Sequence, residues 1–167
     1  LGTNSQISAA EKTQLRALAQ DFSDADVEAI AKIEATTRHD VKAIEYFIRD
    51  ALERMGRLDL AELVHFACTS EDINNTSHAL MLGRARDTVV LPQLQKVYAA
   101  VQHIAKTQAA QPMLSRTHGQ PATPTTLGKE FANVAARLRD AIANIQAVVP
   151  LAKMNGATGN YNAHVSA

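Results

Sequence analysis

The sequence has little of what builds a sheet or a membrane span. It contains no tryptophan, only 4% aromatic residues, seven glycines and five prolines among 167 residues. Alanine and leucine are abundant instead, a composition typical of packed helices. No stretch approaches the roughly 20 apolar residues that cross a bilayer, so we expect no association with a membrane.

Cysteine is equally scarce. The single Cys68 excludes an intrachain disulfide framework and fits a reducing compartment, so we expect a cytoplasmic protein. The first five residues, Leu1 to Ser5, contain neither a basic region nor an apolar segment typical of a secretory signal. They also lack an initiator methionine, and we expect a piece of a longer chain.

No charge of one sign dominates, since 17 basic residues balance 17 acidic ones. The overall charge therefore gives no reason to expect a nucleic-acid partner. The common motifs of metalloenzymes are missing too, because there is no HExxH pattern and no cysteine pair. The residues therefore give no reason to expect a metal site.

Helix start and stop signals divide the first half of the chain. Ser8 and Glu11 form a capping-box pattern for a helix ending near Gln20, and Ser23 is a second N-cap candidate. An amphipathic helix follows a break near residues 36–40, and Gly56 ends it. We also predict a short helix over residues 58–67.

Two long helices are predicted in the second half. The first runs from about Ser70 to Gln111 with a kink or break at Pro92. The second begins near Thr123 with Pro124 at its first helical position. Each helix carries apolar residues at alternating spacings of four and three, which is the seam of a helical bundle. The apolar seam positions are Val90, Leu94, Val97, Val101 and Ile104, then Leu127, Phe131, Val134, Leu138, Ala141, Ile145 and Val148. Two such helices cannot bury these faces alone, so we expect further helices from elsewhere.

The first polar cluster lies at a helix junction and contains Arg38, His39 and Asp40. An arginine, a histidine and an aspartate in sequence can bind an anion and orient an imidazole. A solvated junction between two helices explains the same residues, and the sequence leaves both interpretations open.

The second cluster surrounds Thr69 and Ser70 at the start of the first long helix. Either hydroxyl can cap that helix, and the acids that follow suit its dipole. Free N–H groups and two hydroxyls at a helix start can also bind a carboxylate or phosphate. Asn74 and Asn75 are poor helix formers, which hints at a polar lining.

The third cluster is the stretch from Ser115 to Pro124, which places His118 in a polar loop bounded by glycine and prolines. A histidine there can act as a general acid or base near neutral pH. It could equally be a loop histidine bonded to the backbone.

These clusters, in this order, resemble the fumarase/aspartase superfamily, and in particular its branch that cleaves adenylosuccinate. The resemblance is carried by four stretches: Thr37–Ala43, His65–Asn75, Ser115–Pro124 and Asn155–His164. It implies an all-α fold built on a long-helix bundle, here truncated. Residues 1–68 would form a small N-terminal helical domain, incomplete at its start, and residues 69–167 the first part of the central bundle domain.

The resemblance also implies an activity. These enzymes are carbon–nitrogen lyases of purine nucleotide biosynthesis that convert adenylosuccinate to AMP and fumarate, and the succinylated aminoimidazole carboxamide ribotide to its carboxamide. They need no metal or cofactor and assemble as homotetramers. His118 would be the general acid, while the base would be a serine on a loop beyond Ala167. The implied substrate-binding residues are Arg38, His39, Asp40, Thr69, Ser70, Thr117 and Gln120.

We therefore expect this chain alone to be inactive. A sibling lyase acting on another fumarate adduct, a helical scaffold without catalysis, and a helical adaptor are the alternatives. The seams support an adaptor as well as they support an enzyme.

Overall fold

The computed structural model describes residues 7–167, and the expectation about the first five residues lies outside this range. Two compact units are present. The first contains residues 7–76 together with 152–167, and the second contains residues 77–151. The domain boundary expected between residues 68 and 69 stays a prediction.

Short helices build the first unit. They are α1 (Ala9–Gln20), α2 (Asp24–Thr37), α3 (Asp40–Arg54), a 3₁₀ turn (Leu58–Leu63), the start of α4 (Ser70–Ala85) and α7 (Asn162–Ser166). The predicted capping box is confirmed, since Ser8 N–H donates to Glu11 at 2.7 Å and Glu11 N–H donates to Ser8 Oγ at 3.2 Å. The segment predicted as a helix over 58–67 is a shorter 3₁₀ turn.

The core of the first unit lies along α3. Its buried apolar side chains are Val41, Ala43, Phe47, Ala51 and Leu52, joined by Leu60 and Ala61 of the 3₁₀ turn. Glu45 is also buried, but Lys42 lies 2.9 Å from its carboxylate and Arg49 lies 4.0 Å away. The buried charge therefore has partners, as burial of a carboxylate requires. Gly56 follows α3 with φ of +71°, which confirms it as the stop.

A long helical stretch passes from the first unit into the second. It consists of α4, one π-helical turn (Arg86–Val90) and α5 (Leu91–Thr107). The predicted irregularity near Pro92 is confirmed as this π turn, because proline has no N–H to donate and its ring crowds the preceding turn. Among residues 7–167, no helix combines the length and the apolar character needed to cross a membrane.

The segment around His118 corrects one expectation. Residues Pro112–Thr117 (β1) and Gln120–Thr126 (β2) form an antiparallel hairpin with a bulge near Leu114. Pro124 therefore lies in a strand and not at a helix start. A two-stranded ribbon tolerates proline because both of its strands are edges. Helix α6 (Leu127–Ala147) begins three residues later, where Thr126 Oγ1 accepts from Lys129 N–H at 3.2 Å.

Helices α5 and α6 pack together in the second unit. The buried positions of α6 are Gly128, Ala135 and Ile142, spaced by seven. The predicted seam is only partly covered, since Val134 and Val148 are 51% and 60% exposed. The helical architecture predicted from the sequence is confirmed. Within residues 7–167 the structure adds the hairpin and the short α7, and it leaves a stripe of α6 uncovered.

Candidate functional site

His118 occupies the tip of the β1–β2 hairpin. Thr117 pairs with Gln120 across the ribbon, so the turn contains only His118 and Gly119. Their φ angles are +50° and +76°, the combination that a type I′ turn requires. Histidine tolerates this left-handed region better than most residues, and glycine adopts it freely. The turn therefore fixes where the imidazole is presented.

The predicted neighbours of His118 are placed beside it. Thr117 and Gln120 are the two residues that close the turn, and all three side chains are exposed. At the base of the hairpin, the start of α6 is tied to the turn that follows α5, since Leu127 N–H donates to Gln111 O and Gly128 N–H donates to Gln108 O, both at 2.9 Å. An exposed imidazole on a fixed turn can exchange a proton with a bound molecule.

Arg38, His39 and Asp40 form the junction between α2 and α3. Arg38 ends α2 in the left-handed region, with φ of +54°. Such a conformation is strained for a residue other than glycine, and strain of this kind gathers at functional sites. His39 is the N-cap of α3, and its Nδ1 accepts from Lys42 N–H at 3.4 Å.

This junction contacts the first turns of α4. His39 Nε2 lies 3.3 Å from Ser70 Oγ, and Asn74 Nδ2 donates to Asp40 Oδ2 at 3.3 Å. The Val41 N–H, which donates to Asp40, is the main cause that lowers the pKa of that carboxyl from its usual value. The first and second polar clusters of the sequence are therefore one assembly, with a histidine, a carboxylate and a serine hydroxyl facing outward.

A buried aspartate lies beneath Ser70. Asp72 is fully enclosed, and its carboxylate accepts from Thr69 N–H at 3.0 Å and from Lys153 Nζ at 2.8 Å. The N–H groups of Asn155 and Gly156 complete the set at 3.1 and 3.2 Å. Lys153 and then Thr69 are the main causes that hold the pKa of Asp72 far below its usual value.

Sequence reasoning missed this anchoring. The sequence pattern assigns the acids after Ser70 to the helix dipole. The signal for Asp72 was available, because a threonine followed three residues later by an acid is a capping-box pattern. No local pattern pairs Lys153 with a residue 81 positions earlier.

The structure thus gathers the predicted residues into two groups. Arg38, His39, Asp40, Thr69 and Ser70 belong to the first compact unit, and Thr117, His118 and Gln120 belong to the second. Within residues 7–167, no group of three histidine, cysteine, aspartate or glutamate side chains is arranged to hold a metal ion.

Comparison with protein families gives a match over nearly the whole chain. A family model described as a lyase covers residues 2–167. An adenylosuccinate lyase of Vibrio cholerae is 56% identical over 154 residues, which is 92% of this chain and 34% of that protein. The adenylosuccinate lyase of Escherichia coli K12 is 51% identical over the same shares. The chain spans about a third of the length of these relatives.

Solved structures agree on the fold. A β-carboxy-cis,cis-muconate cycloisomerase of Acinetobacter calcoaceticus has a TM-score of 0.69 at 30% identity, over 98% of this chain and 38% of that one. A fumarate lyase of Mesorhizobium has a TM-score of 0.71 at 20% identity, over 94% of this chain and 36% of that one. The second likeness concerns the fold alone.

Proposed function

This chain belongs to the lyase family whose model spans residues 2–167, and on that premise we propose that it is part of an adenylosuccinate lyase. The main support for this proposal is the 56% identity, over 92% of the chain, to a protein of that name. The proposed reaction converts adenylosuccinate to AMP and fumarate, within purine nucleotide biosynthesis. The succinylated aminoimidazole carboxamide ribotide is the second proposed substrate.

In this reaction His118 is the proposed general acid. A base removes the β-proton, and the electron pair left on carbon forms the double bond of fumarate. The C–N bond breaks, its electrons pass to nitrogen, and the His118 imidazolium supplies the proton that nitrogen needs. An unprotonated amino group of a purine is a poor leaving group, so this proton lowers the barrier. The exposed position of His118 on a fixed turn supports the assignment.

Binding is assigned to the remaining residues of the two groups. Thr69 and Ser70 would bind a succinyl carboxylate at the start of α4, where the dipole favours a negative charge. That carboxylate takes up charge from the carbanion-like intermediate, so its stabilisation lowers the barrier. Arg38, His39 and Asp40 would contact the substrate beside Ser70, and Thr117 and Gln120 would contact it beside His118.

The proposal extends to the assembly. The uncovered stripe on α6 supports a protein whose other helices cover it, and we propose a homotetrameric, cytoplasmic enzyme. We propose that the catalytic base is a serine that lies outside this chain, so the chain alone should not turn over adenylosuccinate. It should also associate through its exposed apolar stripe. Lyase activity of the isolated chain, or a clean monomer by light scattering, would contradict these two statements.

Adenylosuccinate turnover by the full-length polypeptide tests the function, followed by ultraviolet absorbance. We expect His118→Ala to lower kcat by a factor of about 10² or more. His103→Ala, an exposed histidine of α5, is the matched control and should keep full activity. A folded but inactive wild type would refute adenylosuccinate as the substrate. A panel of other fumarate adducts and β-carboxy-cis,cis-muconate would then test whether the protein has the activity of a sibling enzyme.

A further inference from the structure

The buried carboxylate of Asp72 has more partners than helix capping needs. Capping of α4 requires only the Thr69 N–H, which donates to Oδ2 at 3.0 Å. Three further donors come from the residues 153–156, and each carboxylate oxygen thereby accepts two hydrogen bonds. Because both oxygens are satisfied, the four donors hold the buried carboxylate in one position.

Asn75 ties the same segment to α4 one turn further along. Its Nδ2 donates to Lys153 O at 3.0 Å, and its Oδ1 accepts from Lys153 N–H at 2.7 Å. Lys153 Nζ also donates to Gly156 O at 2.8 Å. The segment 153–156 is thus fixed along its backbone against the first turns of α4.

Asp72 joins this segment to the backbone that carries Ser70. The Thr69 N–H is bound to its carboxylate, and the Asp72 N–H donates to Thr69 O at 3.0 Å. A displacement of the carboxylate would therefore change the turn on which the Thr69 and Ser70 hydroxyls stand. Lys153 opposes such a displacement, since its ammonium is the only side-chain donor to this carboxylate among residues 7–167.

We propose that Asp72 is a positioning residue which, held by Lys153, sets the geometry of the Thr69–Ser70 turn for carboxylate binding. The inference rests on the proposed function, since it deepens the role given there to Thr69 and Ser70. Neither Asp72 nor Lys153 touches the substrate in this scheme. Lys153 acts on Asp72, and Asp72 acts on the turn.

The test uses Asp72→Asn, Lys153→Met and Lys153→Arg in the full-length polypeptide. We expect the first two to raise KM for adenylosuccinate, and the inhibition constant of fumarate, by about 10-fold or more, because small misplacements of binding groups are costly. Lys153→Arg should recover most of the loss, since it keeps the charge. The matched controls are Asp140→Asn and Lys129→Met, which alter exposed ion pairs of α6.

A second readout does not depend on activity. In the substrate-free protein, Lys153→Met should speed amide hydrogen exchange at Thr69 by about 10-fold or more, because that N–H is protected by the carboxylate that Lys153 holds. Lys129→Met should leave it unchanged. If Asp72→Asn does not fold, the Lys153→Met variant tests the proposal by itself. We expect that variant to fold because the Lys153 side chain is 36% exposed.

The outcomes separate the two proposals. An inactive wild type would refute the proposed substrate. Amide hydrogen exchange at Thr69 would then still test whether Lys153 holds the turn. Folded Lys153→Met with unchanged KM, fumarate inhibition and Thr69 exchange would overturn the positioning role. A fall in thermal midpoint with unchanged KM would assign the ion pair to stability alone and overturn it as well.

Discussion

The imidazole of His39 lies with Nε2 at 3.3 Å from the hydroxyl oxygen of Ser70. Its Nδ1 lies 3.4 Å from the Lys42 nitrogen, whose N–H donates to it, and 3.2 Å from Asp40 Oδ1. In the tautomer that carries its proton on Nε2, the ring donates to Ser70 and leaves the hydroxyl proton available to bind a carboxylate.

This pairing predicts coupled effects of His39 and Ser70. In the full-length polypeptide, His39→Ala and Ser70→Ala should each raise KM for adenylosuccinate by about 10-fold, and the double variant should lose little more than the larger single loss. The effects of substitutions at two residues in contact do not simply add. Steady-state kinetics on the four proteins measures the coupling, and fully additive losses would show that the pair does not act as a unit.

The hairpin turn predicts a separate effect on catalysis. Gly119→Ala adds a side chain at φ of +76°, where no atom lies within 4 Å, so the cost is conformational and not steric. We expect a loss of about 1 kcal/mol in stability. We also expect kcat to fall by about 10-fold or more, because His118 shares the turn.

Gly56→Ala is the matched control for this variant. Gly56 has φ of +71° and equally open surroundings, but it ends α3 and lies in neither candidate group. Its stability should fall by a similar amount while kcat stays at the wild-type value. Equal losses of kcat in the two variants would remove the hairpin turn from the mechanism.

Helices α1 to α3 could be predicted because their signals are local. Ser8 and Glu11 lie three residues apart, and their reciprocal hydrogen bonds follow from that spacing alone. The hairpin was missed because Pro124 suits a helix start as well as an edge strand. Pairing of Leu114 with Pro124 decided between them, and pairing across a turn is not visible in a local pattern.

The candidate site shows the same division. Each polar cluster could be found from its residue types, but their arrangement depends on contacts between distant parts of the chain. His39 meets Ser70 31 positions later, and Asp72 meets Lys153 81 positions later. On α6 the fully buried residues are Gly128, Ala135 and Ile142, each one position after a predicted seam residue. Gly128 lies directly against the backbone at the end of α5, a contact that no local pattern reveals.

Gly128 therefore predicts a large effect on stability. A Cβ at this position would lie 2.5 Å from Ala105 O and from Ala109 Cα, both backbone atoms of the α5 end and the turn after it. Gly128→Ala should lower the free energy of unfolding by about 1–3 kcal/mol, the usual cost of overpacking. Urea unfolding of the full-length polypeptide measures the loss.

Gly83→Ala should raise the free energy of unfolding and serves as the control. Gly83 lies inside α4, and the nearest atom to an added Cβ would be Pro150 Cγ at an ordinary 3.8 Å. Alanine favours a helix over glycine by up to about 1 kcal/mol, so this variant should gain stability. A Gly128→Ala variant as stable as Gly83→Ala would show that α6 can move away from α5 at no cost.

Glu11 predicts a dependence of stability on pH. Hydrogen bonds from Ser8, and then the Arg57 guanidinium, lower the pKa of its carboxyl from 4.5 to about 2. A group whose pKa is depressed by folding stabilises the fold above its unfolded pKa and loses that effect as pH falls through the folded value.

Glu11→Gln keeps a residue that can complete the capping box but removes the charge. The difference in unfolding free energy between wild type and Glu11→Gln should therefore be constant above about pH 5 and shrink between pH 4.5 and about 2. Urea unfolding across this range measures it, with Glu28→Gln, an exposed residue of α2, as the control. A difference that stays constant down to pH 2 would show that the charge of Glu11 does not stabilise the start of α1.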